Sequence, residues 1–282
     1  MSKTLFQVSH FEVKLFGVTI ALGILFGLWL AVKEAKRRGL NTEQIQELVL
    51  YSALGGLLGA RVAYILFYSP QYYLANPLAV FKIYEGGLSI HGGILGGLIV
   101  GAFFVRKKGL PFWKTADTLT PALILGQAIG RVGCDVFGKP MAGNWFWGVS
   151  LNGQLLHPVQ IYESLLNFLL FFILWRKRRN LQYDGPLFTT YLWAFPVIRG
   201  VVELFRVNPQ VFGFSVAHML TAGFIVAALL LKIRLKEIPY KKDKKQPSKK
   251  KQPSKSQDRF WLELGSVVAG AVVSIIVYYG AY

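Results

Sequence analysis

The sequence predicts an all-α fold: a polytopic membrane helical bundle with a seven-helix core, an eighth C-terminal transmembrane helix and a small loop region on the outer face. Three observations predict it. The 282-residue chain is 53% hydrophobic yet carries a formal net charge of +18. Soluble domains rarely combine the two, and a nucleic-acid binder that basic is usually more polar, so no nucleic-acid partner is expected. Several apolar stretches approach the ~20 residues that a helix needs to cross ~30 Å of hydrocarbon. Finally, basic clusters recur at every second connection, the pattern that marks the cytoplasmic side of a membrane protein.

The spans fall at 14–32, 49–68, 87–105, 116–133, 159–175, 185–205, 214–235 and 260–280. Lys33, Lys36, Arg37 and Arg38 follow the first span, and Arg106, Lys107, Lys108 and Lys114 separate the third from the fourth. Arg176, Lys177, Arg178 and Arg179 follow the fifth, and residues 232–259 follow the seventh; together these segments hold 24 of the 32 Lys and Arg. This distribution predicts an outside N-terminus, outside loops at 69–86, 134–158 and 206–213, and an outside C-terminus. The first residues lack the pattern of a cleaved signal peptide, so the first span is expected to act as the targeting signal.

Three segments follow: an embedded domain over 1–238, a basic low-complexity linker over 239–259 and an extra transmembrane helix over 260–282. The linker repeats KKQPSK at 244–249 and 250–255. So polar a segment cannot bury a core, and its expected partner is the anionic membrane surface, at ~1 kcal/mol per basic residue. The one cysteine, Cys134, excludes an intramolecular disulfide and a thiolate metal site.

A charge at membrane depth costs ~2.5–3.5 kcal/mol on insertion scales, which makes each one a functional candidate. Outside the clusters, arginine occurs at Arg61, Arg131, Arg199 and Arg206, all within spans or at their ends. A guanidinium stays charged when buried and presents a planar fork suited to phosphate, so these residues point to a phosphorylated, membrane-resident ligand such as phospholipid. Each also has a structural use. Arg61 could pair with a carboxylate or with carbonyls, Arg199 and Glu203 are four apart and could be an internal ion pair, and Arg206 could snorkel to water. In EGGLSIHGGILGG (85–97), His91 and Ser89 stand among paired glycines that serve either tight helix packing or a broken helix beside a ligand. Histidine is the side chain best able to take a proton near neutral pH. In 116–140, Gln127 and Arg131 share a helix face, Asp135 follows one turn later and Gly138 ends the run. Cys134 reads as a packing residue, since no base is assigned to it by sequence. His157 and Glu163 open the fifth span, where helix start and anchoring account for them.

These residues resemble the prolipoprotein diacylglyceryl transferase family over roughly 10–235. The resemblance rests on GGLSIHGG, on D-x-x-x-P-x-L-x-L-G-Q-A-I-G-R-x-G at 117–133, on FGKP at 137–140, on HPVQIYE at 157–163 and on R-x-x-x-E-x-x-R at 199–206. It implies transfer of diacylglycerol from phosphatidylglycerol to the lipobox cysteine thiol of a prolipoprotein signal peptide, in the bacterial cytoplasmic (inner) membrane, with the active site toward the outer face. His91, Arg131, Arg199 and Glu203 would be catalytic. Arg131, Ser89, Gln127, Asp135, Gly138, Arg206 and Arg61 would bind substrate. No metal and no cofactor is implied. The chain departs from the family pattern at Cys134, where the family has Asn, and at Phe16 and Phe195, where it has tyrosines. The alternatives are a membrane transferase that uses phospholipid with another acceptor, and a lipid or anion transporter.

Overall fold

The structure, a computed structural model, describes residues 4–8, 11–68, 70–82, 86–207, 210–211, 214–215, 223, 225–226, 228–231, 233–235 and 255–281. The helices are α1 (Leu15–Arg38), α2 (Thr42–Tyr68), a short α3 (Pro70–Ala75), α4 (Ile90–Lys107), α5 (Phe112–Arg131), α6 (Val159–Lys177), α7 (Pro186–Glu203) and α8 (Lys255–Ala281). Helical residues are also described between 223 and 235. Three antiparallel hairpins are the only sheet among the described residues: β1 (Thr4–Val8) with β2 (Phe11–Lys14), β3 (Val149–Leu151) with β4 (Gln154–Leu156), and β5 (Gln210–Val211) with β6 (Phe214–Ser215). By length and composition, α1, α2, α6 and α8 can each cross a membrane.

The chain is therefore an all-α membrane helical protein, as its composition predicts, with local departures. The expected loop at 69–86 contains α3 and a 3-10 turn at Pro77–Phe81. A hairpin with strands at 4–8 and 11–14 leads into the first span, and another has β5 in the expected loop at 206–213 and β6 at the start of the expected seventh span. α8 begins at Lys255, inside the segment read as linker; residues 239–254 lie outside the described residues. Turn residues and short hairpins carry little hydrophobic periodicity, so composition does not announce them.

Polarity is arranged inside out relative to a water-soluble domain. Asp117 and Ser164 are fully buried and hydrogen-bonded, whereas Leu25, Leu58, Phe67 and Ile276 are exposed. Hydrocarbon accepts the apolar faces but not the polar side chains, which turn inward to find partners.

The chain divides into two compact units, one drawn from 1–30 with 116–282 and the other from 31–115. Within the second, α2 and α4 pack through a seam of glycines. A Cβ on Gly92 would lie 2.3 Å from the Gly59 carbonyl oxygen, and one on Gly96 would lie 2.3 Å from that of Gly55. Dispersion between closely approaching backbones is what associates helices in lipid, where apolar burial gains little. The glycines of 92–97 thus serve tight packing in a continuous helix rather than a break. Asn41 caps α2 by accepting from the Glu43 and Gln44 amides at 2.9 and 3.2 Å.

Within the first unit, α1 crosses α5 at Gly23, where a Cβ would come within 2.7 Å of the Gly126 carbonyl oxygen. Asp117 of α5 reaches the start of α7 and accepts from the amides of Gly185, Leu187 and Phe188 at 2.8, 2.9 and 2.9 Å. Those amides have no partner within their own helix, and a carboxylate there also meets the positive end of its dipole. Ser164 of α6 donates to the Ala128 carbonyl at 2.7 Å, tying α6 to α5. α5, α6 and α7, which carry Arg131, Glu163 and Arg199, are thereby tied together.

Asp117→Ala is expected to lower stability by about 1–3 kcal/mol, because it strands the buried amides of Gly185 and Leu187 and the half-buried one of Phe188. Thermal unfolding of the detergent-solubilised protein measures this, and a midpoint equal to that of the parent contradicts the capping role.

Candidate active site

α5 delivers Gln127 and Arg131 from its last two turns. The Gln127 amide meets the Tyr191 hydroxyl of α7 at 2.9 Å. Arg131 turns its Nε to Glu163 Oε1 on α6, at 2.8 Å. The other oxygen of that carboxylate accepts from Arg199 Nη1 of α7 at 3.0 Å. Arg199 Nη2 lies 3.6 Å from Glu203 Oε2, and Arg206 Nε lies 3.8 Å from the same oxygen. Five side chains from three helices and their ends thus form one alternating chain: Arg131, Glu163, Arg199, Glu203, Arg206.

The exposures decide what this chain can do. The Glu163 and Glu203 side chains are each 3% exposed, whereas those of Arg131, Arg199 and Arg206 are 20%, 25% and 19% exposed. The carboxylates form the floor and the guanidinium groups remain partly open above it. Three guanidinium groups face two carboxylates, leaving one net positive charge. A partly desolvated site with surplus positive charge and fork-shaped donors is chemically matched to a phosphate ester. The i,i+4 pairing of Arg199 with Glu203 is present, but it is the longer contact; Arg199 is held chiefly from α6.

Glu163 is the residue that the sequence left undistinguished. Its position in the opening turns of α6 is equally well explained by a helix start. Only the convergence of α5, α6 and α7 shows its carboxylate bridging two arginines 32 and 36 positions away. The available signal is that embedded arginines call for carboxylates or carbonyls, and Glu163 is among the few acidic residues within a span.

The loop after α5 holds Cys134, Asp135 and Gly138. Cys134 Sγ lies 3.8 Å from Arg131 Nη1. Burial nonetheless pushes the Cys134 thiol above its ordinary range, outweighing the neighbouring guanidinium. A nucleophilic cysteine needs the opposite shift, and Cys134 is buried. Asp135 is half-buried beside it. Gly138 donates its amide to the His157 carbonyl at 2.8 Å, and a Cβ there would lie 2.4 Å from the Phe205 carbonyl oxygen. It joins the loop to the starts of α6 and the segment after α7.

The remaining candidates belong to the other unit. Arg61 spends its guanidinium on backbone: Nε donates to Val80 O at 3.0 Å, Nη1 to Gly86 O and Gly87 O at 2.6 and 3.0 Å, and Nη2 to Ala79 O and Lys82 O at 2.6 and 3.2 Å. Of its two expected structural partners, carboxylate or carbonyls, the carbonyls are the ones it meets. Gly86 and Gly87 turn these carbonyls toward it with φ of +92° and +75°, conformations that side-chain-bearing residues resist. Ser89 is the N-cap of α4 and accepts from the Gly92 amide at 3.5 Å. His91 follows as the second residue of α4; its side chain lies outside what the structure describes.

Comparison with known proteins places these residues in context. The family described as prolipoprotein diacylglyceryl transferase matches residues 3–234. A Bacillus mycoides protein is 36% identical over 239 residues, covering 79% of this chain and 88% of its own. One from Bacillus cereus is 34% identical over 245 residues, covering 82% and 90%, and one from Geobacillus kaustophilus is 38% identical over 233 residues, covering 77% and 86%. All three are named phosphatidylglycerol–prolipoprotein diacylglyceryl transferase.

Glu163→Ala removes the shared partner of Arg131 and Arg199 and is expected to cost about 3–5 kcal/mol, as for breaking a buried ion pair from one side. Equilibrium unfolding measures it, and a loss below about 1 kcal/mol would place Glu163 outside the network. Cys134 is expected to react slowly with maleimide at neutral pH. The rate should rise as pH passes above the ordinary thiol range, since a raised pKa holds the thiolate fraction down until then.

Proposed function

Because the chain belongs to the prolipoprotein diacylglyceryl transferase family, we propose that it transfers the diacylglyceryl group of phosphatidylglycerol to the lipobox cysteine thiol of a prolipoprotein, releasing glycerol phosphate. The observation that carries this reading is the alternating chain of Arg131, Glu163, Arg199, Glu203 and Arg206 with its one net positive charge.

The reaction breaks the bond between a glycerol carbon of the lipid and its phosphate oxygen, and it forms a carbon–sulfur bond at that carbon. The thiol gives up its proton, and the departing phosphate becomes a monoester that takes on negative charge. A substrate thiol with a pKa near about 8.5 is mostly protonated at neutral pH, so a base is needed, and His91 takes that role. Arg131 and Arg199, with Arg206 beside them, hold the phosphate and stabilise the charge that grows on it. Glu163 and Glu203 keep the guanidinium planes oriented, so little reorganisation accompanies that charge. Gln127 and Asp135 border the phosphate end, and Gly138 keeps the loop close.

In the membrane, residues 1–238 form the transferase domain, crossed several times by the bilayer, with the N-terminus and the arginine chain toward the outer face of the bacterial cytoplasmic membrane. The charge pattern of the connections supports that orientation. So does the pairing of α6 with α8, which puts Arg176 and Arg179 beside Phe260 and Glu263 and leaves Gln160 and Tyr278 at the opposite end. The basic linker at 239–259 lies on the cytoplasmic side, where anionic headgroups attract it.

Purified protein given phosphatidylglycerol and a lipobox peptide is expected to yield glycerol phosphate and thioether-linked diacylglycerol peptide; no turnover by the intact protein defeats the proposal. Arg131→Ala should lower kcat by about 10²–10³-fold, the usual cost of one transition-state donor. Arg131→Lys should recover little of it, because an ammonium lacks the fork. Undiminished activity in His91→Ala would remove the base from the mechanism.

A further inference from the structure

α8 lies beyond the residues matched by the family, which end at 234. It nevertheless packs within the same unit as the arginine chain. Gly270, Ser274, Tyr278 and Ala281 recur along one covered stripe, while Val268, Val272, Val273 and Ile276 are exposed on the opposite side. The covered stripe runs antiparallel to α6. Phe260 stacks edge-on against Phe172 at 6.0 Å, and a Cβ on Gly270 would sit 3.3 Å from the Phe168 ring. At the far end, Gln160 Nε2 donates to the Tyr278 hydroxyl at 2.6 Å.

That far end is where the site begins. Tyr278 is 0% exposed and forms one apolar cluster with Val132, Val149 and Ile161, with Phe137 packed against it. Val132 follows Arg131 directly, and Ile161 precedes Glu163 by two positions. Val132 and Phe137 bracket Cys134. The next residue, Tyr279, donates its hydroxyl to the Trp147 carbonyl. Trp147 in turn donates its indole N–H to the Tyr162 hydroxyl at 3.1 Å, and Tyr162 adjoins Glu163. The end of α8 therefore touches both chain segments that carry the Arg131–Glu163 pair.

We propose that α8 is a positioning helix for this site: Tyr278 and Tyr279 brace the end of α5 and the start of α6, so that Arg131 and Glu163 keep their mutual geometry. What the braced site does rests on the transferase reading; what α8 braces does not. A displacement of about 1 Å at a reacting group can cost about 10²-fold in rate, so a brace outside the reacting residues is enough to govern turnover.

Cys134, the single cysteine and a buried one, is a native reporter three positions from Arg131. The experiment compares its maleimide labelling rate in the full-length parent, Tyr278→Ala, Tyr279→Phe and the exposed-face control Ile276→Ala. Tyr278→Ala is expected to label about tenfold faster or more, through local opening, while the cooperative thermal transition persists and Ile276→Ala labels as the parent does. Should Tyr278→Ala fail to fold, Tyr279→Phe decides, since it removes one oxygen and no packing; a rise of about threefold is expected. Parental labelling rates in the folded tyrosine variants overturn the inference, as does an equal rise in Ile276→Ala. With phosphatidylglycerol and lipobox peptide, the tyrosine variants should lose kcat by about tenfold with the KM for lipid unchanged, the pattern of weakened transition-state contacts. An intact protein without turnover would defeat the transferase reading alone, because the labelling comparison still tests the brace.

Discussion

The candidate site depends on one buried carboxylate. Glu163 forms an ion pair with Arg131 of α5 through one oxygen and accepts from Arg199 of α7 with the other, and it is almost wholly removed from solvent. An isolated carboxylate could not stay ionised there, and an isolated pair of guanidinium groups would repel each other. Placed between them, it offsets the charge of both arginines while each guanidinium stays partly exposed. Glu203 repeats the arrangement more loosely for Arg199 and Arg206. Positive charge can then be concentrated without collapsing onto the nearest carbonyl, which is the state a phosphate-binding site requires.

Arg61 shows the contrasting outcome. It too belongs to a span, but its donors are taken by five backbone carbonyls around the 3-10 turn and Gly86–Gly87. It organises the approach to α4, whose N-cap Ser89 precedes His91. The difference between the two uses lies in partner type. Carboxylates neutralise an arginine while leaving donors open, whereas a ring of carbonyls consumes them.

α8 extends the same logic beyond the family core. A helix can be appended to a membrane protein wherever one of its faces finds a complementary partner, and its remaining faces are satisfied by lipid. Here the complementary face ends in two tyrosines whose hydroxyls meet Gln160 and the Trp147 carbonyl. Each bond gives a tyrosine hydroxyl a partner at the end of the helix. The appended helix has thus become part of the packing around the ends of α5 and α6.

The all-α class, the approximate spans and the arginines could be read from the sequence alone, because hydrophobic stretches, loop charges and intramembrane cations are local properties. The motifs that mark the family are likewise linear. Partner choice was not legible. Nothing within HPVQIYES distinguishes Glu163 from an ordinary helix-start acid, and nothing within LLGARVAYIL shows which carbonyls Arg61 meets. Paired glycines read equally as seam or break until α2 is placed against α4. Span eight read as an appendage until its tyrosines met α6 and the β3–β4 segment. In each case the deciding interaction joins residues distant in sequence, so it exists only once the helices have packed; the chain itself determined which groups need partners, and the tertiary structure determined which partners they found.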